Sequence, residues 1–225
     1  MRNLLLVCGF LLIQLMPGEI QAQSITLDRV LEEYAIFVHG AQRANLKNIS
    51  FSGTYTLSGH GVPFRLYTKG KQVHFAFDMS GKQKIKMVHT PDHSWLISSA
   101  SGPTTIQHFP AQYFPLIYWH TDLSTSLYEA KAKGYNLVFE GQESTADGDR
   151  FIVQVSNASE RTIIYYLSVD DYLPRRIKVM TKWDGKHEVV DYYLSEYKNV
   201  DGIPFPMRWE TYKPDGRVDM VFEIK

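Results

Sequence analysis

Near the start of the chain, apolar residues recur at intervals of three and four positions. They are Leu27, Val30, Leu31, Tyr34, Phe37 and Val38. This spacing gathers them on one side of a helix, so the segment predicts a single amphipathic helix. Ser24 or Thr26 can cap its first turn, and Gly40 suits a left-handed residue at its end. A helix with one apolar side needs another element to cover that side.

After Asn48 the spacing changes to two, which is the period of a half-buried antiparallel strand. Apolar positions alternate with polar ones in four clear runs: Phe51, Tyr55 and Leu57; Val73, Phe75 and Phe77; Phe151, Val153 and Val155; Val218, Met220, Phe222 and Ile224. Glycine-centred turns fall between such runs at residues 69–71, 80–82, 147–149, 184–186 and 215–217. Together these signals predict a meander of roughly ten or eleven strands.

One stretch interrupts the alternation. Residues 110–133 lose the period of two and contain a helical pattern near Leu123–Lys133. A sheet of this length must curl, and the two helical segments are suited to fill its concave side. The predicted fold class is therefore mostly β (α+β): a long curled antiparallel sheet, or half-open barrel, that covers an N-terminal helix and a helical insertion. We expect one domain over residues 23–225.

The first 22 residues have the pattern of a secretory signal peptide. Arg2 precedes an apolar run from Leu4 to Met16, and Ala22 suits a cleavage site. The alternative is an N-terminal membrane anchor, but the run is shorter than the ~20 residues that a spanning helix needs. The single cysteine, Cys8, lies inside this run, so the mature chain is expected to carry no thiol.

Composition adds two constraints. Lys and Arg number 24, and so do Asp and Glu. Removal of residues 1–22 takes away Arg2 and Glu19, which leaves the mature chain neutral. This balance argues against nucleic acid or an anionic membrane as the main partner. Aromatic residues make up 13% of the chain, a rich supply for the inner side of the predicted sheet.

Motifs that would carry catalysis or bind a metal are scarce. The sequence has no His-Glu-x-x-His, no Gly-x-Ser-x-Gly and no phosphate-binding loop. His89 and His93 have a zinc-like spacing only on a helix, and Pro91 between them favours a turn. Asp170 and Asp171 could pair as acid and base, although their place before a strand favours a solvated turn. We predict no cofactor and no metal.

Three stretches resemble the LolA-type periplasmic carriers and the outer membrane lipoprotein-sorting proteins. "YTKGKQVHFAF" (67–77) is similar to the strand, basic turn and aromatic strand of the carriers, and "MVHTPDHSWLIS" (87–98) to their apolar strand, turn and Trp. "DYLPRRIKVMTKWDGKHEVVDYYLSEYKNVDGIPFPMRWE" (171–210) resembles the lipoprotein-sorting proteins. Within it, Asp201-Gly202 predicts a turn, and Pro204 and Pro206 are expected to stiffen the start of an edge-like strand, Phe205–Tyr212.

The resemblance implies a monomeric periplasmic carrier or binder of lipoprotein acyl chains or other lipids, without catalysis. Proteins of the inner or outer membrane are further expected partners, and nucleic acid is not. Lys69 stands at the basic turn near the cavity mouth, where the carriers often have Arg, and Lys lacks the planar fork of donors of Arg. Two alternatives stay open: an envelope interaction or sensor module of the same fold, and an enzyme with an unrecognised site.

The predicted ligand-binding residues follow from strand and helix parity. Positions expected to face an apolar cavity are Leu31, Tyr34, Tyr55, Phe75, Phe77, Trp95, Phe139 and Tyr165. A register error of one residue would send any strand position to the opposite face. The alternative is that the helices fill the concave side and these aromatics are ordinary core.

Overall fold

A computed structural model describes residues 25–40, 48–57, 59–69, 72–79, 83–90, 93–99, 103–108, 127, 129–156, 162–183, 186–213 and 215–225. Within these ranges the chain forms one helix, α1 (Leu27–Phe37), and thirteen strands. The strands are β1 (Asn48–Leu57), β2 (His60–Lys69), β3 (Gln72–Met79), β4 (Gln83–His89), β5 (Ser94–Ser99), β6 (Thr105–His108), β7 (Asn136–Thr145), β8 (Gly148–Ser156), β9 (Thr162–Ser168), β10 (Pro174–Trp183), β11 (Lys186–Val200), β12 (Ile203–Tyr212) and β13 (Val218–Ile224).

Helix α1 begins at a capped residue and buries a narrow stripe. The hydroxyl of Thr26 accepts a hydrogen bond from the Arg29 backbone N–H at 3.3 Å, as expected of an N-cap. Val30, Tyr34 and Val38 are fully buried, whereas Phe37 at the margin of the stripe remains 38% exposed. The left-handed residue after the helix is His39, with φ 51°, one position before the predicted Gly40.

All thirteen strands belong to one open antiparallel sheet. Its order is β6-β5-β4-β3-β2-β1-β13-β12-β11-β10-β9-β8-β7, so each half of the chain is a meander and the first strand pairs with the last. The predicted long antiparallel sheet is confirmed, and the expected count of ten or eleven strands was too low. The extra strands include β6, which has only four residues and is too short for its period to stand out.

Ring contacts across several strands show that the sheet is concave. Phe75 on β3 and Phe222 on β13 lie three strands apart, which corresponds to about 14 Å in a flat sheet. Their ring centroids are only 6.1 Å apart. Phe51 on β1 and Phe205 on β12 lie two strands apart, with their ring centroids 5.5 Å apart. The side chains on this face therefore converge, and we call it the inner face.

The seam between β1 and β13 depends on a glycine. Gly53 pairs with Ile224 on β13 and with Phe64 on β2. A Cβ atom at position 53 would lie 1.9 Å from the backbone oxygen of Glu223. Only a residue without a side chain allows β13 to approach β1 this closely.

The Asp-Gly pair at 201–202 forms a two-residue hairpin between β11 and β12. Asp201 and Gly202 have φ of 50° and 85°, the two positive values of a type I′ turn. Pro204 and Pro206 pair with β11, and the β13 ladder begins only at Arg208. The prolines thus lie where β12 has a neighbour on one side. The prediction of an edge-like strand holds for this start alone, because from Arg208 onward β12 lies between two strands and is central.

Two predicted segments fall partly or wholly outside the described residues. The signal peptide (1–22) lies outside them, and so does most of the insertion at 110–133. Leu127 and Ala130, from the end of that insertion, are buried against the core. Within the described part of the chain, no helix is long and apolar enough to cross a membrane.

Candidate functional site

An aromatic cluster occupies the inner face of the N-terminal half of the sheet. Strand parity brings together five rings: Tyr55, Phe64, Phe75, Phe77 and Phe222. Phe75 is central, with its ring centroid 4.4 Å from that of Phe77 and 5.1 Å from that of Phe64. Tyr55 stacks on Phe222 at 4.6 Å. Such edge-on and offset contacts stabilise the cluster beyond simple burial.

One end of this inner face is only half covered. The cluster continues there into a set that we call the apolar rim: Tyr55, Leu57, Val62, Phe77, Ile85 and Met220. Leu57 is 44% exposed, and Tyr55, Val62, Ile85 and Met220 are half-buried. Burial raises the pKa of Tyr55, with a smaller contribution from the negative charge of Asp219. The rim is therefore an apolar surface that solvent reaches and that continues directly into the core.

The C-terminal half of the inner face is packed against α1. Ring contacts run from Phe37 of α1 to Tyr172 (5.5 Å), from Tyr172 to Phe151 (5.5 Å) and from Phe151 to Phe139 (6.2 Å). A salt bridge of 3.0 Å between Asp28 and Lys131 joins the other end of the helix to the end of the insertion. In this half, α1 and the end of the insertion therefore lie over the inner face.

The predicted binding residues divide between these regions. Tyr55, Phe75 and Phe77 meet in the N-terminal aromatic cluster. Tyr34 and Tyr165 are fully buried in the core, and Leu31 and Phe139 pack on it while half-buried. These four belong to the half that α1 covers.

Trp95 and Lys69 lie away from the rim. Trp95 pairs with Val88 and His108, while Leu96 pairs with Met87 of the core, so Trp95 lies on the outer face. It is 39% exposed, and the parity assigned to it was wrong by one residue. Lys69 ends β2 opposite Asn48, whereas Val62 of the rim pairs with Tyr55, so Lys69 is at the far end of the strands.

Two polar side chains near the inner face have structural partners, whereas the buried hydroxyl of Thr211, opposite Met220 of the rim, has none among the described residues. Thr68 is buried, and its hydroxyl accepts a hydrogen bond from the Ile49 backbone N–H at 3.0 Å. His89, considered above as a metal ligand, lies with Nδ1 2.7 Å from Oγ of its cross-strand neighbour Ser94. The described residues contain no group of three His, Cys, Asp or Glu side chains that could hold a metal ion.

The acidic pair before β10 serves the turn. Asp171 accepts a hydrogen bond from the Leu173 backbone N–H at 3.1 Å and pairs with Arg175 at 2.5 Å. Its carboxylate is thus engaged by local groups. This fits the solvated turn expected at this junction.

Sequence reasoning missed Val62 and Ile85 as rim residues, and it missed Phe64. In "GVPFRL" the apolar residues alternate with Pro63 and Arg65, and in "QKIKMVH" they alternate with Lys84 and Lys86. Pro63 interrupts the first pattern, and the second run has only seven residues. The alternation of apolar and polar residues was therefore present in both segments, but over too few residues to assign them to the inner face.

No family model matches this chain, and no curated protein matches its sequence. Solved structures do resemble it. A DUF1329 family protein from Desulfovibrio piger has a TM-score of 0.55 at 15% identity and covers 87% of this chain and 91% of its own. A LolA superfamily protein from Nitrosomonas europaea has a TM-score of 0.58 at 10% identity, and the match covers 90% of this chain and 92% of that protein. A putative outer membrane lipoprotein-sorting protein domain from Vibrio parahaemolyticus has a TM-score of 0.47 at 9% identity, and the match covers 87% of this chain and 91% of that domain.

At these identities the likeness concerns architecture. The superpositions with the LolA superfamily protein and the DUF1329 protein cover most of both chains, so the likeness extends over most of the fold and is not confined to one part of it. The fold expected from the three sequence stretches is confirmed. This chain has a LolA-like fold.

Proposed function

We propose that this protein binds acyl chains of lipoproteins or other lipids at the apolar rim and carries them through the periplasm without catalysis. The observation that carries the proposal is the half-covered end of the inner face, where Leu57 is 44% exposed beside the buried aromatic cluster. The LolA-like fold supports it, since one similar solved structure is a LolA superfamily protein. Export by cleavage after Ala22 belongs to the same proposal.

The energetics of acyl binding suit a reversible carrier. Each methylene moved from water to an apolar surface contributes about 0.8 kcal/mol. A chain of about fifteen methylenes would thus gain on the order of 12 kcal/mol before ordering costs, which offset part of it. The rim residues offer that surface without a buried charge among them.

A fatty acid that carries a dansyl fluorophore tests the proposal. The mature protein should bind it with a blue-shifted emission, and a diacylated lipid should displace it. Leu57→Asp should weaken binding by about tenfold, because a charge at the rim replaces apolar contact. Leu57 is the suitable position, since Phe75 is 1% exposed and a charge there would unfold the protein.

Val189→Asp provides the matched control. Val189 is 57% exposed and lies on the outer face of β11, where it pairs with Met180. It should bind the fluorescent fatty acid as the wild type does. Absence of binding in the wild type, or equal weakening by both variants, would remove the support for a lipid carrier. Mass spectrometry of an organic extract of the purified protein would identify any retained lipid.

A second candidate function is hydrolysis, which one observation favours. Ser94 Oγ and His89 Nδ1 lie within hydrogen-bond distance, and Ser94 is buried. A serine nucleophile requires such a base. Labelling by a fluorophosphonate that is lost in Ser94→Ala would support this function, and unlabelled protein that binds lipid would exclude it in favour of the carrier.

A further inference from the structure

The outer face of the N-terminal half carries unpaired cations between exposed apolar side chains. Arginine and lysine point outward at Arg65, Lys84 and Lys86, and all three are exposed. Beside them Tyr67, Trp95 and Ile106 are 47%, 39% and 65% exposed. We call these six residues the outer basic face.

Strand register arranges the outer basic face in rows. One row crosses the strands through Tyr67, His74, Val88, Trp95 and His108, and the next row runs through Arg65, Ala76, Lys86, Ile97 and Ile106. The ring centroids of Trp95 and His108 are 5.9 Å apart, so the imidazole supports the indole from one side. Cationic and apolar groups therefore share one continuous surface on β2–β6.

The C-terminal half of the outer surface has a different charge arrangement. Arg176 pairs with Asp191 at 2.8 Å, Arg208 with Glu210 at 2.5 Å and Lys213 with Asp219 at 3.6 Å. Among the described residues, no such ion pair is formed by Arg65, Lys84 or Lys86. The outward positions of β2–β6 contain a single carboxylate, Asp78, which stands opposite Lys84. The neutral composition thus conceals a positive face on one half of the sheet.

We infer that the outer basic face docks on the surface of an anionic lipid bilayer. Lys and Arg are attracted to anionic headgroups, and Trp and Tyr prefer the boundary between headgroups and acyl chains. Ile106, the most exposed of the three large apolar side chains, can enter the apolar layer. An acidic protein would match the cations, but protein interfaces concentrate their aromatic anchors in well-packed pockets, whereas Trp95 and Ile106 stand exposed between cations. This inference is independent of the proposed lipid cargo, which uses the inner face.

Sedimentation with vesicles tests the docking. The mature protein should bind vesicles of phosphatidylcholine that contain about 30% phosphatidylglycerol, an anionic content that attracts basic clusters. It should bind pure phosphatidylcholine much more weakly. Added salt should weaken the binding, since it screens the charges. The double variant Lys84→Glu/Lys86→Glu should bind the anionic vesicles at least about twentyfold more weakly, because each lost cation contributes roughly fivefold.

The matched control reverses two lysines elsewhere on the surface. Lys198→Glu/Lys225→Glu changes the net charge by the same amount at exposed residues outside β2–β6. It should keep more than half of the vesicle binding. The tryptophan emission of the wild type should shift to the blue on anionic vesicles, and Trp95→Phe should lose that shift.

Two results would overturn the docking. One is equal loss of binding in both double variants, which would mean that only net charge matters. The other is wild-type binding to anionic vesicles no stronger than to phosphatidylcholine, which would leave an acidic protein as the partner for this face. Binding of the dansylated fatty acid should stay unchanged in Lys84→Glu/Lys86→Glu, so failure of the docking and failure of the proposed cargo are separable.

Discussion

At the scale of single residues, Gly53 fixes the distance between the two halves of the sheet. Its neighbours on both sides are close: a Cβ would meet the Glu223 carbonyl at 1.9 Å and the Phe64 ring at 2.9 Å. The first contact is with backbone, which cannot rotate away as a side chain can. Either β13 would move away from β1, or the ladder at this point would break.

Gly53→Ala should therefore lower the free energy of unfolding by at least about 1–3 kcal/mol, the typical cost of overpacking a rigid site. Urea denaturation would measure the change. Gly61→Ala serves as the control, since its Cβ would meet side-chain atoms alone, a methyl group of Thr54 at 3.2 Å and the hydroxyl of Thr56 at 3.6 Å. That variant should stay within about 0.5 kcal/mol of the wild type. Similar losses in both variants would show that the seam is not closely packed.

Residue-level predictions succeeded where the alternation was long. Val73, Phe75 and Phe77 lie on the inner face as their period indicated, and all three are buried. The parity of Trp95 was wrong because "SWLIS" offers apolar residues on both faces, Trp95 and Ile97 on one and Leu96 on the other. Which apolar face a short strand turns inward depends on its neighbour, Met87, and this pairing is not visible in the strand itself.

At the scale of elements, α1 is held to the sheet by Val30, Tyr34 and Val38, which are one turn apart and fully buried. The sequence predicted the helix and its stripe because the apolar spacing extends over three turns. The hairpin at Asp201-Gly202 could also be predicted from the sequence, since the positive φ values of its turn favour this dipeptide. The position of β12 in the sheet could not be predicted, because pairing between β12 and β13 depends on residues outside the segment.

Val30→Asp should strongly destabilise the protein, because it places an unpaired carboxylate at a position with no exposure. We expect a loss on the order of 3–5 kcal/mol in the free energy of unfolding, measured by urea denaturation. Glu32→Gln is the control: its side chain is 68% exposed, and its ion pair with Arg29 is long at 3.9 Å. It should change the free energy of unfolding by less than about 0.5 kcal/mol. Equal effects would mean that α1 is not docked through this stripe.

At the scale of the whole molecule, three tyrosines on different strands couple stability to alkaline pH. Burial is the main cause of the raised pKa of Tyr55 and of Tyr166. Tyr212 has a raised pKa chiefly because its hydroxyl donates a hydrogen bond to Glu210 at 2.8 Å. In each case the folded state favours the protonated phenol.

The sign of the pH dependence follows. An unfolded Tyr loses its proton near a pKa of about 10. The contribution of these groups is complete below that pH and is lost as pH rises through their higher folded values. Urea denaturation at pH 8 and at pH 10.5 should thus show lower stability at the higher pH. The double variant Tyr166→Phe/Tyr212→Phe should lose less over this interval, and an undiminished loss would assign the effect to other groups.

Only one pairing in the sheet, between the first strand and the last, joins strands that are not consecutive in the chain. The other eleven ladders all join strands that are consecutive in the chain, β1 to β6 in one meander and β7 to β13 in the other. The separation between Gly53 and Ile224 is bridged by a single ladder of five paired residues. The entropy of closing that long loop is therefore concentrated in one step, which places the joining of β1 to β13 late in folding. Until β13 has paired with β1, the two meanders are separate half-sheets, and β1 and β13 are both exposed edge strands that could pair with another chain.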